Sequence, residues 1–395
     1  MLDRSFLCLL VLWLCWCAPA IAGYGAVDED SGGQRRLMPP PATAAVRDEF
    51  DAMRKGMQTF NTFARLPYMN CFAKEVEGTT DEDGKNSSSS RYDIAILGAP
   101  HDISATVRPG ARFGPTDIRS ASLIKSIGYS VFTGRHPFRD WAKVVDCGNV
   151  RMSPLDKLVA LRTLDRAHEA VTGRPAAHPD RSAVPRVLML GGDHSTTLSA
   201  LRSVHQRWGK VSVVHFDSHI DTWDTEEAVS EYAKLDHGTF LYFAHEEGLI
   251  LDSSIHVGIR APYYSHRDVP NDRRCGFETV TARDIDAVGI RGVVDKIRRR
   301  VGNSSVYVTV DIDVLDPAFA PATGTPEPGG WSTRELLSVL HGLEGLHVVG
   351  SDVVEVAPAY DSNSQTTALT AGEVVMSLLD LMVASPAGNA SLPAL

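Results

Sequence analysis

Basic clusters are what this chain most plainly lacks. Across 395 residues it sets 39 Lys and Arg against 49 Asp and Glu, a net charge of -10. Its one Lys/Arg run, Arg298 to Arg300, closes an amphipathic pattern and reads as a helix end. A nucleic-acid partner held through its phosphates is thereby excluded. The acidity suits a small cationic ligand, although solubility alone explains it equally well.

Cysteines at metal-type spacing are absent too. Cys8, Cys15 and Cys17 sit in an N-terminal apolar stretch, which leaves Cys71, Cys147 and Cys275 for the rest of the chain. A thiolate zinc site is excluded on that count. Cys147, at the end of Val144-Val145-Asp146, reads as a small buried hydrophobe, and an oxidising compartment would permit a Cys71–Cys275 disulfide. There is no internal repeat, and beyond the N-terminus no apolar run reads as membrane-spanning.

The N-terminus is the exception. Arg4 precedes the apolar stretch Phe6 to Cys17, and Ala18-Pro-Ala-Ile-Ala offers a small-residue exit before Gly23. The expectation is a signal peptide over 1–22, no membrane attachment after cleavage, and secretion or vacuolar delivery. Asn86, Asn303 and Asn389 head glycosylation triplets. Residues 23–59 read as a polar, flexible leader, 60–384 as one catalytic domain and 385–395 as a disordered tail, with a polar insert at 78–90.

From Asp93 onward, apolar strand-like runs at 93–99, 143–147, 187–190, 211–216, 254–259, 306–310 and 347–356 are interspersed with helical patterns at 155–172, 196–207, 287–300, 333–343 and 366–384. Ser332 and Glu335 are spaced as a capping box at the start of the fourth helix. Nearly continuous apolar strands alternating with helices predict an α/β fold: a mostly parallel buried sheet with helices on both faces, three layers in all. Ligands of such sheets bind beyond the carboxyl ends of the strands.

Three short runs stand at strand exits: His194 in Gly191-Gly-Asp-His-Ser, the triplet Asp217, His219 and Asp221, and the pair Asp311 and Asp313. In an extended segment, side chains at i, i+2 and i+4 share a face, so each run points its acids and imidazoles one way. Such groups without a basic partner are costly to bury unless a cation holds them. A carboxylate-rich, thiolate-free set suits Mn²⁺ better than structural zinc. Two ions about 3.5–4 Å apart would lower the pKa of a shared water towards neutrality. Asp217 and Asp311 are the expected bridging carboxylates.

The surrounding motifs extend the reading. They are Arg108-Pro-Gly-Ala-Arg-Phe-Gly-Pro, Val145-Asp-Cys-Gly-Asn, His215-Phe-Asp-Ser-His-Ile-Asp-Thr, Asp236-His-Gly-Thr-Phe, the segment Asp311 to Pro326, and Asp352-Val-Val-Glu-Val-Ala-Pro. Over about 60–384 the chain resembles the ureohydrolases, meaning arginases, agmatinases and their relatives, and is most similar to agmatinases. The resemblance implies two Mn²⁺ per subunit, hydrolysis of a guanidino compound to urea and an amine, and a homotrimer or hexamer. It implies that His194, Asp217, Asp221 and Asp311 hold one ion, and Asp217, His219, Asp311 and Asp313 the other. Glu355 would bind the substrate guanidinium, His237 would return a proton to the leaving amine, and Asp221 would accept one from the attacking water. The family's usual Asp-Ala-His-Thr/Ala-Asp is here interrupted by Ser218 and Ile220, whose side chains are expected to face away from the metals. A deacetylase-like hydrolase or an inactive protein of the same fold fits less well, since every ligand position and Glu355 are retained.

The substrate's far end is the open question. Thr222 to Leu235 lacks the Asn/Ser loop with which arginases hold an amino acid, and carries Asp224, Glu226, Glu227 and Glu231. Asp224 and Glu227 are the candidate substrate contacts, favouring the cationic tail of agmatine over 4-guanidinobutyrate. A solvated acidic loop face explains the same residues.

Overall fold

Strand residues in this chain alternate between two apolar cores. In β1 (Ile94–Gly98), Ile94 and Ile96 enter one core while Ala95 and Leu97 enter the other. In β3 (Arg186–Leu190), Leu188 and Leu190 part in the same way from Val187 and Met189. That is the period of two of a strand buried on both faces, with each large aliphatic contributing roughly 1.5–3 kcal/mol. The computed structural model describes residues 61–73, 91–125, 127–226 and 228–385. The expected signal peptide, leader, 78–90 insert and Glu227 lie outside these residues, as does the tail after Ser385.

The other strands are β2 (Val144–Asn149), β4 (Ser212–Phe216), β5 (Ser254–Ile259), β6 (Phe277–Thr281), β7 (Ser305–Asp311) and β8 (His347–Val354). Together they form one eight-stranded sheet ordered β2-β1-β3-β8-β7-β4-β5-β6, parallel throughout. On one face α2 (Lys157–Thr172) packs on α3 (Thr196–Trp208), and α3 on α4 (Phe240–Glu246). On the other, α1 (Gly114–Ser122) and α7 (Thr333–Gly342) flank α8 (Thr366–Ala384), and α6 (Asp284–Val301) packs against α7. The expected three-layer α/β fold is what forms.

Local signals account for several boundaries. Asp156 caps α2 by accepting from Leu158 and Val159 N–H, and the Ser332/Glu335 capping box is present at α7. Four elements escape the sequence pattern. β6 is an edge strand with two exposed residues, and α1, α4 and α5 (Asp268–Arg274) are short. Few turns leave little room for a 3.6-residue pattern to declare itself. α8, contrary to the expectation for the chain beyond its N-terminus, is long and apolar enough to cross a membrane, but it is largely buried within the protein.

The cysteine expectations need correction. Cys71 is bonded to Cys147, and Cys275 is free and buried. Cys147 meets Cys71 because residues 67–69 run alongside β2: Met69 N–H donates to Asp146 O, and Asp146 N–H to Pro67 O. Asp146 fixes this strap further, its carboxylate accepting from Phe63 N–H (2.8 Å) and from the Arg119 guanidinium (2.8 and 2.9 Å).

Candidate metal centre and active site

The register of the four central strands, β3-β8-β7-β4, brings the three acid-bearing runs together. Phe216 pairs with Val310, Asp311 with Val354 and Leu190 with Val353. Asp217, Asp311, Val354 and Gly191 therefore stand at one level where the chain leaves the sheet, with Glu355 one residue beyond. His194 follows two glycines whose role is close approach. A Cβ on Gly192 would lie 1.8 Å from the His101 carbonyl oxygen. That closeness lets Asp193 N–H reach His101 O at 2.7 Å, while the Asp193 carboxylate accepts from Ser104 N–H at 2.9 Å.

The acid runs converge by turning, which corrects the shared-strand-face argument. β4 ends at Phe216. Had the strand continued, Asp217 and Asp221 would stand about 13 Å apart, too far to share an ion. Instead His219 N–H donates to Asp217 Oδ1 at 2.6 Å, and Asp221 adopts φ 52°, a strained left-handed conformation for a non-glycine residue. β7 likewise gives way after Asp311 to a 3-10 turn, Ile312–Val314, with Asp313 N–H on Asp311 Oδ1 at 2.8 Å. Glu355 is also left-handed, at φ 61°.

These turns place ligand atoms at mutual distances suited to metal ions. His194 Nδ1 lies 3.1 Å from Asp217 Oδ2, 3.1 Å from Asp221 Oδ2 and 3.3 Å from Asp311 Oδ2. His219 Nδ1 lies 3.3 Å from Asp217 Oδ1 and 3.1 Å from Asp313 Oδ2. About 3 Å is the edge of a coordination octahedron with ~2.1 Å bonds. The six expected ligands thus lie together, in two groups sharing Asp217, with Asp311 standing in the His194 group. His194 Nδ1 and Asp217 Oδ2 are buried with no hydrogen-bond partner. Burial, then the charges of Asp313 and Asp217, push the Asp311 carboxyl well above the usual range. Burial opposes charge on His194, yet its three carboxylate neighbours raise it well above an ordinary histidine. Unpartnered ligand atoms amid crowded carboxylates fit hard divalent cations.

Two residues beside this cluster depart from the sequence expectation. His215, which the motifs do not single out, has Nε2 3.0 Å from Asp217 Oδ2, and its Nδ1 lies 2.7 Å from His256 Nδ1, which connects onward through Nε2 to Asp272 Oδ1 at 2.8 Å. The available signal is its place two residues before Asp217, on the same strand face. Ser218 does not face away as expected: in the turned segment its hydroxyl donates to Asp313 Oδ1 at 2.7 Å. Ile220 is buried.

Glu355 and His237 form the second half of the site. Glu355 Oε1 accepts from His194 N–H at 2.8 Å and pairs with His237 Nδ1 at 3.0 Å, while Oε2 is buried and unpartnered. Thr106 Oγ1 lies 2.7 Å from His237 Nε2. Burial disfavours charge on His237, but the Glu355 carboxylate, together with Asp221 and Asp193, outweighs it and lifts the imidazole to about 9. Thr106 N–H, at 3.2 Å from Nε2, opposes that proton from farther away.

Glu226 pairs with Arg267 at 2.5 Å and Glu231 with Lys234 at 2.6 Å, while Asp224 accepts from the Glu226 N–H; Glu227 lies outside the described residues.

A model of the arginase family matches residues 92–380. The chain belongs to the arginase family. A Schizosaccharomyces pombe protein bearing a provisional agmatinase name is 44% identical over 339 residues, 82% of each chain. An agmatinase of Neisseria meningitidis serogroup C is 40% identical over 293 residues, covering 74% of this chain and 88% of the relative. The solved proclavaminate amidinohydrolase of Streptomyces clavuligerus superposes with a TM-score of 0.71 at 34% identity, over 83% of this chain and 98% of that one. This arginase-family member is a ureohydrolase of agmatinase-like type, with a buried His/Asp cluster at its sheet exits.

Proposed function

We propose that this ureohydrolase binds two Mn²⁺ per subunit and hydrolyses agmatine to putrescine and urea. His194, Asp217, Asp221 and Asp311 would hold one ion, and Asp217, His219, Asp311 and Asp313 the other. When bound, the ions supply Lewis acidity and a water acidic enough to attack at neutral pH. The observation that carries the reading is the buried, unpartnered Oε2 of Glu355, whose sister oxygen is already engaged. A guanidinium satisfies such an oxygen with a charge-assisted N–H bond and is thereby oriented for attack at its carbon. His237 would give the proton on its Nε2 to the departing amine, with the Thr106 hydroxyl beside it to relay protons to solvent. Asp221 would accept the proton released by the attacking water.

Relatives named agmatinase support agmatine as the substrate, while a proclavaminate amidinohydrolase is 40% identical over 280 residues, so other guanidino compounds belong in the same assay. The Cys71–Cys147 disulfide supports a secretory itinerary, since such bonds persist in oxidising compartments, and the Asn303 triplet lies at an exposed position. A homotrimer or hexamer is the proposed assembly. The deciding experiment is urea release by Mn²⁺-loaded protein from agmatine, arginine, 4-guanidinobutyrate and 3-guanidinopropionate. Agmatine should be the preferred substrate, and no urea from any of them would sink the proposal.

A further inference from the structure

The loop Gly324 to Glu327 runs along the site from the guanidinium anchor outward. A Cβ on Gly324 would lie 3.5 Å from Glu355 Oε2. Thr325 Oγ1 donates to Asp313 Oδ2 at 3.3 Å. Glu327 Oε1 then lies 4.0 Å from Nε2 of His219, on the side of that ring turned away from Asp217 and Asp313.

Glu327 is held stiffly while its charge stays available. Pro326 and Pro328 flank it. The Arg260 guanidinium grips its carbonyl oxygen at 3.0 and 2.6 Å, and spends its other bonds on the carbonyls of Gly258, Asp313, Val314 and Leu315. Arg260 thus ties Glu327 to the turn bearing Asp313, with its donors committed to carbonyl oxygens. The Glu327 side chain is about one-third exposed (34%), so solvent and substrate can both reach it. Glu226 and Glu231 of the 222–235 loop are engaged with cations elsewhere.

We infer that Glu327 selects a cationic substrate tail, its carboxylate pairing with the primary ammonium at the end of the substrate remote from Glu355. The inference rests on the proposed guanidino hydrolysis at this site. An ammonium gains a charge-assisted contact there, while a carboxylate tail meets repulsion.

The test compares wild type with Glu327→Gln in the full-length, Mn²⁺-loaded protein, on agmatine, 1-butylguanidine and 4-guanidinobutyrate. Putrescine binding is measured alongside by calorimetry, and metal content by elemental analysis. Glu327→Gln should raise KM for agmatine and Kd for putrescine by up to about fivefold, leave KM for uncharged-tail butylguanidine in place, and lower KM for 4-guanidinobutyrate. Equal weakening of agmatine and butylguanidine, or loss of Mn²⁺, would show that Glu327 merely props His219 and would overturn the inference. Unchanged agmatine KM and putrescine affinity in the variant would overturn it too, leaving the hydrolase reading intact. A wild type that releases no urea from any guanidino compound would instead defeat the underlying reading.

Discussion

Ser218 donates its hydroxyl hydrogen to Asp313 Oδ1 at 2.7 Å, and its backbone N–H reaches the same oxygen at 3.1 Å. Both bonds hold the carboxylate so that Oδ2 faces His219 Nδ1. Groups that orient a ligand in this way commonly alter metal affinity by about 10–100-fold. Ser218→Ala should fold normally, because a smaller side chain replaces a hydroxyl, and should bind Mn²⁺ about tenfold more weakly. Competition with a chelator measures this directly, and undiminished affinity would count against an orienting role.

Asp217 is the carboxylate common to both ligand groups, with Oδ2 near His194 and Oδ1 near His219. Asp217→Asn keeps the shape and removes the charge. Urea release should fall below detection and Mn²⁺ content should drop, by elemental analysis of the purified variant.

His237 touches Glu355 and Thr106 but none of the six ligand side chains by hydrogen bond. His237→Ala should slow turnover by about 10²–10⁴-fold, the usual worth of a positioned acid, with Mn²⁺ retained. Loss of both ions from this variant would mean that its role is structural.

The same pair makes stability depend on pH. His237 is lifted to about 9 in the folded protein, above its ordinary 6.5. The unfolded chain therefore binds fewer protons between these values, and the stabilisation is complete below about pH 6.5 and lost as pH rises through about 9. In thermal melts of metal-free protein, the advantage of wild type over His237→Ala should shrink across that window. An advantage that grows with pH would contradict the assignment.

The Cys71–Cys147 bond closes a loop with a sequence separation of 76. Constraint of the unfolded chain is worth up to about 4.5 kcal/mol for such a loop on the chain-entropy account. The double variant Cys71→Ser, Cys147→Ser should lose about 2–4 kcal/mol in denaturant melts. A loss near zero would mean that the strap is held by Asp146 and its partners alone.

Much of the site is legible in the sequence, for reasons tied to particular residues. His194, Asp217, His219, Asp221, Asp311 and Asp313 are recognisable because acids and imidazoles at the ends of apolar strands have few other ways to be buried. Their geometry is what the sequence conceals. An extended reading of Asp217 to Asp221 predicts that Ser218 points away, whereas the left-handed turn at Asp221 and the bond from Ser218 to Asp313 show a coiled segment. Asp224 and Glu227 suggest themselves because they follow the triplet in sequence. Glu327, more than 100 residues after the triplet, stands 4.0 Å from His219 because the β4 and β7 exits are neighbours in the sheet.

By itself the sequence determined the chemistry: which side chains bear charge, that no thiolate site competes, and that strands alternate with helices so that ligands gather at carboxyl ends. Those properties follow from residue type and local period, which need no partner to be read. Tertiary structure alone decided that Cys71 meets Cys147, that Ser218 serves Asp313, and that Glu327 overlooks the site. Each depends on which strands are neighbours and on turns whose side-chain directions obey no simple period, so packing across the sheet had to choose them.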